Sequence, residues 1–206
     1  MSRNVQTAIP LVDFGVWTKS LDSESENGDS YVVKPSPNGV LLVVADGLGH
    51  GPEAAAAAHA AMACVESYNG QGVIPLFQFC HSALKKTRGV VMNLAFFNGV
   101  DNTLTWLGVG NVAGVLIRAD ANANPAQETL LLRGGVLGLN LPQLYATVMS
   151  ILPGDTLIFA TDGIASSFAD TLTSRDSPQK LAEKIGCQFS KGTDDALVVA
   201  GRYRGF

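Results

Sequence analysis

Apolar residues along this chain fall into two kinds of pattern. The first is the unbroken run at residues 40–45, bounded by Asn38-Gly39 before it and Asp46-Gly47 after it. Its length and β-branched content predict a buried strand. A helix is expected next. Pro52 suits a first helical position, Glu53 suits the positive end of the helix dipole, and the alanine-rich stretch 54–63 has high helix propensity. So many alanines also let a helix lie close against a sheet. A second helix is expected over 75–86. The second pattern is a series of short apolar segments at 90–97, 103–109, 112–118, 128–133, 145–151 and 156–160. They are separated by Asn98-Gly99, Gly110-Asn111, Gly134-Gly135 and Pro153-Gly154, all turn chemistry. A short helix after Asp162, a helix over 178–185 and a last strand over 196–203 complete the reading. Strands in hairpin order with a few helices predict an α+β fold: a β-sandwich of two mostly antiparallel sheets flanked by helices.

Composition is compatible with that core. The 206 residues are 47% apolar and 16% charged, far from a disordered composition. The polar stretches 20–29 and 119–125 read as a loop and a turn. Neither resembles an interdomain linker, so one domain spanning 1–206 is expected. The net charge is −4, and the basic residues Lys85, Lys86 and Arg88 form the only cluster, which argues against nucleic acid as a partner. Cys64, Cys80 and Cys187 are scattered and form no Cys-x-x-Cys pair, so neither a disulfide framework nor a thiolate zinc site is indicated. They are expected to serve as small buried hydrophobes. The start of the chain lacks a signal-peptide pattern, and no apolar run approaches the ~18 residues that span a bilayer. No membrane association and a cytoplasmic location are expected.

Candidate chemistry resides in aspartates at strand ends. Asp46 follows the run 41–45, Asp162 follows 157–161, and Asp194 and Asp195 precede the run 197–200. Asp29 stands just before Tyr31-Val32-Val33. A carboxylate at the mouth of a buried strand is costly unless it is paired or bound to a cation. Several of them can converge on one point, and an oxygen-rich site without His or Cys selects Mg²⁺ or Mn²⁺ over zinc. Each aspartate alone also has a plainer reading, because Asp-Gly is a common turn dipeptide and Asp194-Asp195 suits a solvated loop. Their combination carries the signal. The glycines around Asp46 do not form a nucleotide loop: the sixth position counted from Gly47 is Pro52, and no Gly-Lys-Ser/Thr follows.

Four segments occur in a telling order: Val44-Ala45-Asp46-Gly47-Leu48-Gly49-His50-Gly51-Pro52-Glu53-Ala54, Gly108-Val109-Gly110-Asn111-Val112, Ala160-Thr161-Asp162-Gly163 and Thr193-Asp194-Asp195-Ala196. Together they resemble the metal-dependent protein phosphatase (PPM) superfamily, most closely its small bacterial SpoIIE/RsbX-type branch. The resemblance implies a β-sandwich flanked by helices and two bound Mn²⁺ or Mg²⁺ ions. It implies that Asp46 bridges both cations and that Gly47 offers its backbone carbonyl to one. Asp29 matches the early acidic ligand of the second cation, and Asp162 and Asp194 match later ligands of the first. Asp195 takes the place where relatives carry Asn or Asp beside the ligand. Asp46, Asp162 and Asp194 are therefore the expected catalytic centre.

The resemblance further implies dephosphorylation of phosphoserine or phosphothreonine on a STAS-domain regulator in a partner-switching or stressosome pathway, opposing a serine kinase. Larger relatives hold the substrate phosphate with an arginine near the N-terminus. Here Arg3 lies outside any matching motif, and Arg88 is the substitute candidate, against a plain reading as a surface arginine. His50 is a candidate general acid at a position that varies among relatives. His59 and His81 are expected to be structural or exposed, and Trp17 and Trp106 to be core. The rival readings are a non-catalytic phosphoprotein-binding module of the same fold and a phosphoesterase acting on small molecules.

Overall fold

The run at 40–45 lies within β3 (Gly39–Gly47), and its two sets of side chains are buried against different layers. Leu42 and Val44 join an inner core with Phe97, Leu116, Phe159 and Val199. Val43 and Ala45 point the other way, into a second core with Met92, Leu94 and Phe77. A strand covered on both faces has no polar face to show, which explains why the run is continuous rather than alternating. The structure is a computed structural model and describes residues 10–21, 26–172 and 176–205.

β3 is second in the sheet β2 (Asp29–Ser36), β3, β4 (Val90–Asn98), β5 (Thr103–Val109) and β8 (Thr147–Ser150). The other sheet runs β1 (Val12–Lys19), β10 (Ala196–Tyr203), β9 (Thr156–Ala160), β6 (Ala113–Ile117) and β7 (Gln127–Thr129). All neighbouring strands in both sheets are antiparallel. The sheets pack face to face, and helices cover their outer faces. α1 (Pro52–Ser67) and α2 (Val73–Ala83) lie on the first, and α3 (Pro178–Phe189) lies on the second through Leu181, Ala182 and Ile185 against Ile158, Val198 and Ala200. Ala54, Ala57, Ala58 and Ala61 form the buried face of α1, and their small side chains let the helix settle onto β2 and β3. Phe159, fully buried between the sheets, holds the sandwich together; its truncation to Ala would cost about 3–5 kcal/mol. No helix among the described residues is long and apolar enough to cross a membrane.

The expected sandwich is present, with local differences. β1 was not anticipated from the sequence. β7 has three residues in place of the expected strand over 128–133, because the chain from Leu130 onward leaves the sheet and runs past Gly110 and Gly114, to which it hydrogen-bonds. β8 covers only four residues of 145–151. The short helix after Asp162 is a single 3-10 segment, Ser166–Thr171. Trp106 is core, and Trp17 packs on Gly186 of α3. Cys80 is buried and Cys64 half-buried, whereas Cys187 is exposed on α3, a correction to the expectation that all three cysteines are buried.

Candidate active site

Antiparallel pairing brings the aspartates to one end of the sandwich. β2 begins where β3 ends, so Asp29 lies opposite Asp46 in the β2–β3 register. β9 ends where β10 begins, which sets Thr161 and Asp162 beside the segment that carries Asp194 and Asp195. Thr161 joins the two sheets: its hydroxyl donates to Asp29 Oδ2 (2.7 Å) and accepts from the Leu197 N–H (2.8 Å). This bond spans 132 residues of sequence.

Asp46, Asp162 and Asp194 line one open cleft of about 520 Å³, together with His50, Asn111 and the backbone of Gly134 and Gly135. Asp29 is buried behind Asp46. Gly47 lies under α1, where a Cβ would stand 2.1 Å from the Ala54 carbonyl oxygen. Any side chain here would therefore push the helix off the sheet. The Gly47 N–H donates to the Gly28 carbonyl at 3.0 Å, which ties the end of β3 to the start of β2.

The two adjacent aspartates differ in role. Asp194 faces the cleft. Asp195 is buried and clamps the other wall: Oδ1 accepts from the Leu21 N–H (2.8 Å) and Oδ2 from the Gly28 N–H (2.7 Å). Asp162 is held from two sides. Its Oδ2 accepts from Asn111 Nδ2 at 2.8 Å, and its backbone carbonyl accepts from Lys191 Nζ at 2.6 Å.

Negative charge accumulates here. Burial and the neighbouring Asp162, Asp194 and Asp195 push the Asp46 carboxyl up to about 7. Asp29 is held well above the usual carboxylate range by burial and by Asp46, against the opposing Thr161 hydrogen bond. Asp194 is raised by burial and by Asp162 and Asp195, while the Asp195 N–H and His50 pull it down. Among the described residues no three His, Cys, Asp or Glu side chains close tightly on one point. A cleft whose donors are mainly carboxylate oxygens fits a hard divalent cation.

The remaining candidates lie around this centre. Arg88 is outside the cleft wall, in an ion pair with Glu53 and resting against Gly49 of the loop after Asp46. Arg3 lies outside the described residues, as do residues 22–25 of the acidic loop. His81 serves the fold, its Nδ1 accepting from the Gly138 N–H (3.0 Å), and His59 is exposed. Thr161 and Asn111 stood inside the recognised motifs, but their spacing gave no sign of their partners. Lys191 had no sequence signal at all.

Comparison with known proteins agrees with this geometry. The sequence matches the Stage II sporulation protein E (SpoIIE) family over residues 36–203. The phosphoserine phosphatase RsbX of Bacillus subtilis (strain 168) is 26% identical over 192 residues, covering 91% of this chain and 92% of that protein. A solved chain from work on the bacterial stressosome as a modular system controlling secondary messenger signalling is 32% identical, with a TM-score of 0.84 and coverage of 93% of this chain and 99% of that one. RsbX crystallised in complex with magnesium superposes with a TM-score of 0.81 at 22% identity, covering 93% and 95%. With a match that runs from the end of β2 through β10 and takes in Asp46, Asp162 and Asp194, the chain belongs to the SpoIIE family, a branch of the metal-dependent protein phosphatase superfamily.

Proposed function

We propose that this chain is a metal-dependent phosphatase that hydrolyses phosphoserine or phosphothreonine on a regulatory protein. The convergence of Asp46, Asp162 and Asp194 on one cleft, with Asp29 behind them, carries the reading. Asp46 would bridge two Mn²⁺ or Mg²⁺ ions, the Gly47 carbonyl and Asp29 would serve one side, and Asp162 and Asp194 the other. Such a pair of cations supplies an activated water and neutralises charge on the phosphoryl oxygens. The chain's own residues keep the ligands in place. Thr161 orients Asp29, Asn111 and Lys191 fix Asp162, and Asp195 ties Leu21 and Gly28 against the site. Among the described residues, those lining the cleft include no Cys or Ser.

The substrate we favour is a phosphorylated STAS-domain regulator in a partner-switching or stressosome pathway, with a serine kinase opposing the reaction in the cytoplasm. The similarity to a phosphoserine phosphatase and to a stressosome chain supports this choice. The rim of the cleft suits a protein better than a small ester. Leu131 and Leu139 are exposed, Leu139 packs beside Gly89, and the Arg133 guanidinium sits 4.3 Å over the ring of exposed Tyr145. A non-catalytic binding module would have no use for four converging carboxylates. Residues 1–206 are read as one catalytic unit. Phosphate release from a phosphorylated STAS protein and from p-nitrophenyl phosphate, with and without Mn²⁺, tests the reading. Release from neither substrate with Mn²⁺ present would overturn it.

A further inference from the structure

Asn93 is the one polar side chain among the described residues with a buried atom left unpartnered: it is fully buried on β4, and its Oδ1 has no hydrogen-bond partner. Such an atom is costly, and an apolar residue in the inner core would avoid the cost. Its other end is engaged. Nδ2 donates to the Val112 carbonyl at 2.7 Å, across 19 residues. Val112 closes the turn between β5 and β6, and that turn is fixed at a second point by the Gly110 N–H, which donates to the Arg133 carbonyl at 2.7 Å. Gly110 has a φ of 106° and lies against Val91, a conformation and a contact that a side chain would prevent. Between these two anchors stands Asn111. It is exposed, and its amide donates to Asp162 Oδ2.

From this arrangement we infer that Asn93 and Asn111 form a positioning relay for Asp162. Asn93 locks the β5–β6 turn from inside the core, and the turn presents Asn111 so that its amide occupies one oxygen of Asp162. The other oxygen is left to face the cleft, and the bond restrains rotation of the carboxylate. Asn93 is buried in the core, and its effect on Asp162 passes through the turn that carries Asn111. Partners that orient metal-ligating carboxylates typically change cation affinity by about 10–100-fold when removed. The inference rests on the reading of Asp162 as a cation ligand.

Mn²⁺ binding to the whole protein, measured by titration calorimetry, tests it alongside thermal melting of the metal-free protein. Asn111→Ala removes an exposed side chain. It should weaken Mn²⁺ binding about tenfold, leave the metal-free melting temperature close to that of the unchanged protein, and regain most of the lost kcat at saturating Mn²⁺. Asn111→Gln, which keeps an amide donor, should recover part of the affinity. Asn93→Ala should weaken Mn²⁺ binding in the same direction, and the double variant should bind no more weakly than the weaker of the two single variants, because both act through one bond. Full additivity of the two substitutions would overturn the relay. So would unchanged Mn²⁺ affinity in Asn111→Ala while Asp162→Asn loses it. If Asp162→Asn also bound Mn²⁺ normally, the metal reading of Asp162 itself would be at fault. Should Asn93→Ala fail to fold, Asn93→Ser takes its place in the same comparison, while the pair Asn111→Ala and Asn111→Gln decides the contact with Asp162.

Discussion

Asp29 and Asp46 face each other across the β2–β3 ladder, two carboxylates at one end of the sandwich, and among the described residues no cationic side chain hydrogen-bonds to either. The folded protein favours their protonated forms, Asp46 titrating at about 7 against an ordinary 3.8. The sign of the linkage follows. Between those values the folded chain binds protons that the unfolded chain has released. The stabilisation is therefore complete below pH 3.8 and is lost as pH rises through about 7. Metal-free protein should melt at a lower temperature at pH 8 than at pH 5, and Mn²⁺ should raise the melting temperature more at pH 8. Asp46→Asn should flatten the difference in chelator. A metal-free protein that melts higher at pH 8, with Asp46→Asn making no difference, would contradict this account of the pair.

The same cluster of carboxylates sets the expected response of activity to cations. A chelator should abolish phosphate release, and Mn²⁺ or Mg²⁺ should restore it. Zn²⁺ should restore it poorly, because the donors around the cleft are oxygens. Full turnover in excess chelator would rule out the two-cation reading.

Substitutions should separate the adjacent aspartates by mechanism. Asp46→Asn is expected to eliminate turnover, and Asp162→Asn and Asp194→Asn to follow closely, each with Mn²⁺ affinity reduced. Asp195→Asn should act differently. It turns one acceptor of a buried clamp into an NH₂ group that faces a backbone N–H, at Leu21 or Gly28. The expected loss is about 1.5–3 kcal/mol of stability, with Mn²⁺ binding much nearer normal than in Asp194→Asn. The comparison needs calorimetry and thermal melts on the same four variants. Weaker Mn²⁺ binding in Asp195→Asn than in Asp194→Asn would reverse the assignment.

What the sequence made legible was local. The run at 40–45, the proline that starts α1 and the glycine turns between strands each specify their own structure, so β3, α1 and the hairpins were predictable. Asp46, Asp162 and Asp194 stood out because each adjoins an apolar run. β1 was illegible because its eight residues mix Asp13, Gly15 and Lys19 with scattered apolar positions. Its strand state comes from pairing with β10, at the far end of the chain, and from α3 packing across it. The segment after Thr129 reads as a strand, but Leu131 and Leu132 are exposed. The bonds of Thr161 to Asp29 and of Asp195 to Leu21 and Gly28 join residues more than a hundred positions apart, and no local pattern encodes such a partner.

Substrate choice should depend on surfaces outside the cleft. Arg88, the candidate phosphate holder, is ion-paired with Glu53 at the rim and half-exposed. Exposed pairs of this kind contribute about 0–1 kcal/mol, so a phosphate dianion can draw the guanidinium away from Glu53 at small cost. Arg88→Ala should then lower kcat/KM without changing the melting temperature, and Glu53→Gln should not lower it. The cleft wall is rich in carboxylates, so a free phosphoester gains little beyond what the cations provide. A folded phosphoprotein can add contacts along the rim, where Leu139 is exposed beside the Arg88-Gly89 turn. A phosphorylated STAS domain should be cleaved with far higher kcat/KM than a phosphopeptide cut from it, each tenfold difference corresponding to about 1.4 kcal/mol of contact energy realised in the transition state. Side-by-side kinetics on the domain and the peptide provide the check. Equal rates on both, with Arg88→Ala reducing both alike, would refute docking and leave a general phosphoesterase.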